Sequence, residues 1–467
     1  MGPLDAGVVV AYLAATVWLG MRSARRAAEP KDDYLLAGRT LTLPAFVVTL
    51  VATWYGGVLG VGEYSYLHGL SNWLVMGLPY YVGALLFAAL LARKARASAE
   101  YTVPDLLFGT YGRGAGIVGT ATVFMLSLPA AYLLMLGVLL RRMTGWGQRA
   151  SVIVCALFCL AYIAARGFRA VVQTKGLQFA FMYGGFVLLL PVAVWSAGGW
   201  GFLRQSLPVE HFTWDGGQGG GYVAAWYFIA LQTLVEPTFY QRCFAAKSPK
   251  TARNGILVSI LFFALFDGLT TFTGMYARAL IPGLPSGVDA FPALGEKLLP
   301  AVLLGVFFAG MIATIMSTVD SFLFVGGVTL GRDLVWRLSG GKADLLFWTR
   351  AGLVAATAAS AGIALASQSV VALWYGFYSV GTATLLPPLL GVFYPSLRPA
   401  PRFAAWGMAI SGALTLAWLL GAQSAGGRPW LGVEPIYAGL AVAAATHAAG
   451  VIAARRKTGD AMTTPPG

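Results

Sequence analysis

Apolar residues run along this chain in blocks of about twenty, separated by short polar or basic stretches. A helix of that length crosses the hydrocarbon core of a bilayer. Thirteen such blocks predict membrane spans near residues 6–24, 42–66, 71–95, 112–140, 150–166, 172–197, 221–243, 254–278, 299–330, 347–366, 369–394, 401–421 and 432–454. The expected fold class is therefore an all-α polytopic membrane protein. The first block does not read as a cleavable signal peptide, because its basic residues Arg22, Arg25 and Arg26 follow the apolar run instead of preceding it.

Two blocks contain residues that a plain membrane anchor avoids. The second carries "ATWYGG" at 52–57, with Gly56 and Gly57 at mid-depth and Gly60 and Gly62 following. The seventh carries "LVEPTFYQR" at 234–242, with Glu236 and Pro237 inside the apolar run. Proline removes a backbone donor and clashes with the preceding turn. Irregular backbone at membrane depth persists only where it lines a cavity or is buried in protein. The breaks fall in corresponding helices of two five-helix blocks, residues 42–197 and 221–394, and an odd number of spans makes the second block enter the membrane inverted. Interrupted helices at matching places in inverted repeats point to a transport site; the bland reading is two unrelated kinks, since Gly and Pro are frequent in membrane helices. Around the blocks stand a first helix with a cytoplasmic loop (1–41), two extra helices (401–454) and a short tail (455–467) expected to be disordered.

Composition agrees with a membrane protein and orients it. Hydrophobic residues make up 58% and charged residues 11%, with mean hydropathy +0.72, against about 25% charged in a soluble domain. With the N-terminus outside and the C-terminus cytoplasmic, the cytoplasmic side holds 25 of the 32 Lys and Arg and the outer side seven, as the positive-inside rule requires. The net charge of +14 then reports topology in a cell (inner) membrane and anionic lipid on its cytoplasmic face, not nucleic acid. Three cysteines (Cys155, Cys159, Cys243) and three scattered histidines (His68, His211, His447) offer neither a disulfide framework nor metal-ligand spacing. No constellation of nucleophile and general base exists for an enzyme, no cofactor other than a coupling ion is implied, and the oligomeric state is left open.

The stretch "ATIMSTVDSF" at 313–322 lies within the apolar run 298–330. On a helix Thr314, Ser317, Thr318 and Ser321 share one face, with Asp320 at its edge. Hydroxyls alone also serve helix packing in membranes. A carboxylate at a helix centre costs about 2.5–3.5 kcal/mol to insert, and such groups face a wet or ion-binding interior. A patch of hydroxyl oxygens suits a hard monovalent cation.

"STVDS" at 317–321 resembles a signature of the sodium/solute symporter family, as do "DYLLAGRTL" at 33–41, "ATWYGG" at 52–57, "AVVQTKGLQ" at 170–178 and "FYQRCFAAKSPKTAR" at 239–253. The resemblance runs in order from about residue 30 to 335 and implies a LeuT-like fold of two inverted five-helix repeats with flanking helices. It implies sodium-coupled symport by alternating access, with a sodium ion between the second and ninth spans held by the carbonyls of Trp54, Gly57 and Thr314 and the hydroxyls of Ser317 and Thr318. One position departs from the family pattern. After the threonine at 174 the family usually has an aspartate, which in some relatives, with the residues matching Asp320 and Ser321, binds a further sodium ion; here Lys175 follows. An ammonium there would repel such an ion. The expectation is that Lys175 pairs with Asp320 and stands in the ion's place. The alternatives are that it snorkels to water, or replaces sodium altogether in a proton-coupled or sodium-independent carrier.

The solute, a small polar organic molecule, is expected between the two breaks, lined by Trp54, Tyr55, Tyr132, Trp226, Gln232, Thr233, Glu236, Trp374 and Tyr378. Aromatic rings beside a carboxylate such as Glu236 suit an amine or quaternary ammonium, while the family as a whole carries sugars, amino acids, vitamins, choline-like cations and monocarboxylates. Glu63 and Asp267 are further membrane-region carboxylates to which the sequence assigns no role. A sensor retaining the transporter fold is the rival class.

Overall fold

The computed structural model describes residues 1–24, 35–164, 168–424 and 429–463. Arg25, Arg26, Arg166 and the first two residues of the 33–41 motif lie outside them. Among the described residues the chain is helical, with one isolated bridge between Leu41 and Ala246 and no strand.

In chain order the helices that matter here are α1 (Pro3–Ala24), α2 (Leu43–Trp54), α3 (Val58–His68), α4 (Leu78–Leu90), α5 (Val103–Tyr111), α6 (Arg113–Leu126) and α7 (Ala130–Thr144). They continue with α8 (Gln148–Ala164), α9 (Phe168–Ala197), α10 (Gly220–Ile229), α11 (Pro237–Ala245), α12 (Pro249–Leu280), α13 (Ala290–Leu298) and α14 (Leu303–Val328). The last four are α15 (Leu345–Ala366), α16 (Val370–Phe393), α17 (Pro401–Ser424) and α18 (Pro435–Thr463). Eleven helical stretches among the described residues are long and apolar enough to cross a membrane. The expected count of thirteen is not reached by that measure. The span expected at 150–166 is a shorter apolar helix, Gln148–Ile163, and the one expected at 221–243 is split into α10 and α11 because Pro237 cannot donate and Glu236 is extended (φ −64°, ψ 113°).

The centre of the molecule is α14, buried almost end to end. Asp5 of α1 is buried against its start and accepts the backbone N–H groups of Val302 (2.9 Å) and Gly305 (3.2 Å), satisfying donors that a helix N-terminus leaves open. The last helix continues through the basic cluster at 455–457 to Thr463, where the sequence predicts a disordered tail.

Ion pairs tie the bundle at both ends. At one, Arg141 and Arg142 of α7 reach Asp289 (3.0 and 2.8 Å) and Arg142 reaches Glu296 (3.0 Å). At the other, Arg332 meets Asp105 (2.8 Å) and Asp333 (2.6 Å), and Arg337 also meets Asp105. Near that second end two stretches far apart in sequence pair their backbones: Leu41 N–H donates to Ala245 (3.0 Å) and Lys247 N–H to Leu41 (2.9 Å).

Candidate ion and solute site

The first break is a single tight turn. The α-helix ends at Trp54, Tyr55–Gly57 form a 3₁₀ turn, and α3 resumes at Val58. Both glycines are needed for close approach: a Cβ at Gly56 would fall on the Thr318 hydroxyl, and one at Gly57 on the Trp374 indole. Across from the turn, the Ser317 hydroxyl meets the carbonyl of Ala52, and the Thr318 hydroxyl donates to the carbonyl of Thr53 at 2.5 Å. These carbonyls lie just before those of Trp54 and Gly57. Thr314 turns its own hydroxyl to Gly310 O (2.6 Å), while its carbonyl lies 2.7 Å from the Ser317 hydroxyl.

Two cations stand beside this contact, fully buried. The Lys175 ammonium donates to the backbone carbonyl of Ser317, so it does not snorkel. It forms no direct ion pair with Asp320, which instead accepts Gln178 Nε2 at 3.4 Å. The helix register explains this difference from expectation. Helices α9 and α14 run antiparallel, with Gly185 facing Phe307 and Gly310 facing the Phe181 carbonyl, which sets Lys175 level with Ser317 and leaves Asp320 most of a turn further along. The second cation, Arg242 of α11, went unnoticed in the sequence beyond its place in a motif. Its Nη2 donates to the hydroxyls of Thr53 and Ser321 (2.8 Å each), themselves 3.1 Å apart, and its Nη1 to the Thr238 carbonyl (3.2 Å). A buried guanidinium needs several donors satisfied at once, which its planar fork allows.

The second break is closed by its own side chains. Glu236 accepts Thr238 N–H (3.3 Å), the Thr238 hydroxyl (2.9 Å) and the Gln232 amide, so it acts as the N-cap of α11.

Between the breaks lies a cavity with about 610 Å³ of space free of protein atoms, the open volume at its mouth included. Trp54, Tyr55, Gly57, Tyr132, Trp374 and Tyr378 line it, together with Thr53, Val61, Met76, Tyr80, Thr238, Asp267 and Phe322. Trp226, Gln232, Thr233 and Glu236 are buried but are not among the lining residues; Trp226 packs on Tyr222 and Tyr375 (ring centroids 6.3 and 5.9 Å). The only carboxylate on the wall, with no Lys, Arg or His among the described lining residues, is Asp267 of α12, which accepts the Tyr81 hydroxyl. The sequence marks it only as a membrane carboxylate, since nothing local says which face of a long apolar helix meets the cavity.

A helix break opposed by hydroxyls, beside an aromatic cavity, is how an ion-coupled carrier is built. The profile of the sodium:solute symporter family matches residues 34–397. The chain belongs to that family. It is 26% identical over 348 residues to the sodium/pantothenate symporter of Escherichia coli (strain K12), covering 70% of this chain and 71% of that one. It is 22% identical over 463 residues to the high affinity choline transporter 1 of Homo sapiens, covering 92% and 77%. Among solved structures it is similar to a Na+-coupled sialic acid symporter in a substrate-bound outward-open state, with TM-score 0.79 at 17% identity over 97% of this chain and 98% of that one. Mhp1, a nucleobase-cation-symport-1 family transporter, follows at TM-score 0.56 and 10% identity, covering 89% and 92%. These likenesses establish the fold as LeuT-like. The protein is a multi-pass membrane transporter, a sodium-coupled symporter of small solutes and not an enzyme; proton-coupled carriage and a sensor role are not favoured.

Proposed function

We propose that sodium binds where α14 faces the first break, held by the carbonyls of Trp54, Gly57 and Thr314 and the hydroxyls of Ser317 and Thr318, and that its binding drives uptake of a small organic solute occupying the central cavity. The observation that carries this reading is the crossing of the Ser317 and Thr318 hydroxyls to carbonyls at the end of α2. Those oxygens lie beside the interrupted backbone, where carbonyls are released from helical bonding. A small shift of α14 relative to α2 would exchange these hydrogen bonds for a cation. Lys175 and Arg242 supply positive charge beside Ser317, Ser321 and Asp320, which argues for one sodium site here and against a second.

The solute we propose carries a cationic group. Seven aromatic side chains, Trp54, Tyr55, Tyr80, Tyr132, Phe322, Trp374 and Tyr378, and one carboxylate, Asp267, line the cavity, a combination suited to cation–π and ionic recognition of an ammonium. The pantothenate and choline carried by the named relatives belong to those proteins; what supports the choice here is the wall itself. Residues 42–197 and 221–394 are proposed as the two inverted repeats, the N-terminus outside and the C-terminus cytoplasmic in the cell membrane, with anionic lipid at the basic inner face. The ion-paired ends would then open in turn.

The decisive experiment compares melting temperature in sodium chloride and potassium chloride at equal ionic strength. A ligand that binds only the folded state adds RT ln(1 + [L]/Kd), about 1.4 kcal/mol at ten times Kd. We expect a higher melting temperature in sodium and no difference in Thr318→Ala. Equal melting of the wild-type protein in both salts would refute the sodium site.

A further inference from the structure

Past the first break, α3 carries Glu63 and Tyr64 toward the end of the molecule where α16 and α18 begin and α17 ends. There a second cavity, about 1070 Å³ with its open mouth included, is walled by Glu63, Tyr64, Tyr222, Tyr375 and Glu434 among others. Its electrostatics are one-sided. Glu63 accepts the Ser369 hydroxyl (2.7 Å) and Val370 N–H (3.2 Å), and Glu434 accepts the Tyr375 hydroxyl. Among the described residues neither carboxylate has an ion-pair partner, no Lys or Arg lines the space, and His68 is the one basic side chain on its wall. Tyr64 is 2% exposed, and its ring lies against His68 (centroids 4.7 Å).

Two half-buried carboxylates with only neutral donors leave uncompensated negative charge in a confined space, where the lower dielectric strengthens its attraction for a cation. An inorganic ion would satisfy the charge alone. Three tyrosine rings add a preference for a cation with an apolar skin, which ring faces attract within about 6 Å. The position also matters. Neighbouring residues Trp374 and Tyr375 of α16 line the central and the second cavity respectively, as do Val61 and Glu63 of α3. The Trp374 ring packs against Gly57 and Gly60 of the first break and the start of α3.

We propose that this second cavity is a binding site for an organic ammonium ion, distinct from the central cavity. The proposal stands on the charges and rings of this cavity and does not need the central solute to be cationic.

The test is isothermal titration of the purified full-length protein in detergent at low salt, with tetramethylammonium chloride as the probe and tert-butanol as its uncharged isostere. The wild-type protein is expected to bind tetramethylammonium saturably and tert-butanol not at all. Glu434→Gln is expected to weaken that binding event at least tenfold, and Asp267→Asn, in the central cavity, to leave it in place. If Glu434→Gln does not yield folded protein, Tyr375→Ala, which removes a ring and not a buried charge, is expected to weaken the same event. No saturable binding, equal binding of tert-butanol, or an isotherm unchanged by Glu434→Gln and Tyr375→Ala would overturn the proposal. A single event abolished by Asp267→Asn alone would also overturn it while upholding the central reading.

Discussion

At the first break the chain turns through Tyr55, Gly56 and Gly57 and presents no charge of its own; the atoms opposite are hydroxyls of α14. At the second it turns at Glu236 and Pro237, and the carboxylate folds back onto Thr238 and Gln232 within the same segment. Both interruptions serve the same topological purpose, and their chemistry is opposite. The glycine break leaves its polar atoms to be satisfied from another helix, so a ligand can compete for them. The proline break satisfies itself, so a ligand has little to gain there. Arg242 links the two, since it starts from the helix after the second break and bonds Thr53, one residue before the end of α2. We propose that the difference assigns ion binding to the first break and rigid support to the second.

The largest effect is expected from Ser317→Ala combined with Thr318→Ala. Sodium-dependent uptake into sealed vesicles should be lost while circular dichroism shows an intact helical protein; retained uptake would break the assignment. Gly56→Ala comes next. A Cβ there meets the Thr318 hydroxyl, and overpacking of this kind typically costs about 1–3 kcal/mol, so melting temperature should fall and the sodium-dependent rise should vanish with it. Glu236→Ala should destabilise by a similar or smaller amount, about 0.5–2 kcal/mol for a lost cap, and still leave the sodium-dependent rise in melting temperature intact. Loss of that rise in Glu236→Ala would mean that the second break takes part in ion binding. Pro237→Ala should be the mildest, because proline at the first helical turn replaces a donor that is unpaired anyway; a large loss of transport there would reveal a hinge.

Much of this was legible in the chain because it rests on local rules. Gly56–Gly57 and Glu236–Pro237 announce breaks by backbone chemistry alone, and the spacing of Thr314, Ser317, Thr318 and Ser321 announces a polar face. Other features depend on helix register, which no local pattern carries. The sequence pattern makes Glu236 a candidate solute contact, and the fold uses it as the cap of α11. Lys175 was expected to meet Asp320 and meets the Ser317 carbonyl, because the antiparallel packing of α9 on α14 sets them level. Asp267 and Tyr80 line the cavity although their neighbours in sequence resemble those of any membrane helix.

The sequence by itself determined that this protein is a helical membrane carrier with two interrupted spans and a hydroxyl-bearing helix, since hydropathy, proline, glycine and a 3.6-residue period are properties of short segments. Only the tertiary structure decided which oxygens face the break, which carboxylate enters the cavity and where the buried cations rest. The contacts at the break join residues 265 positions apart, and side-chain partners across helices are fixed by packing that each helix cannot encode alone.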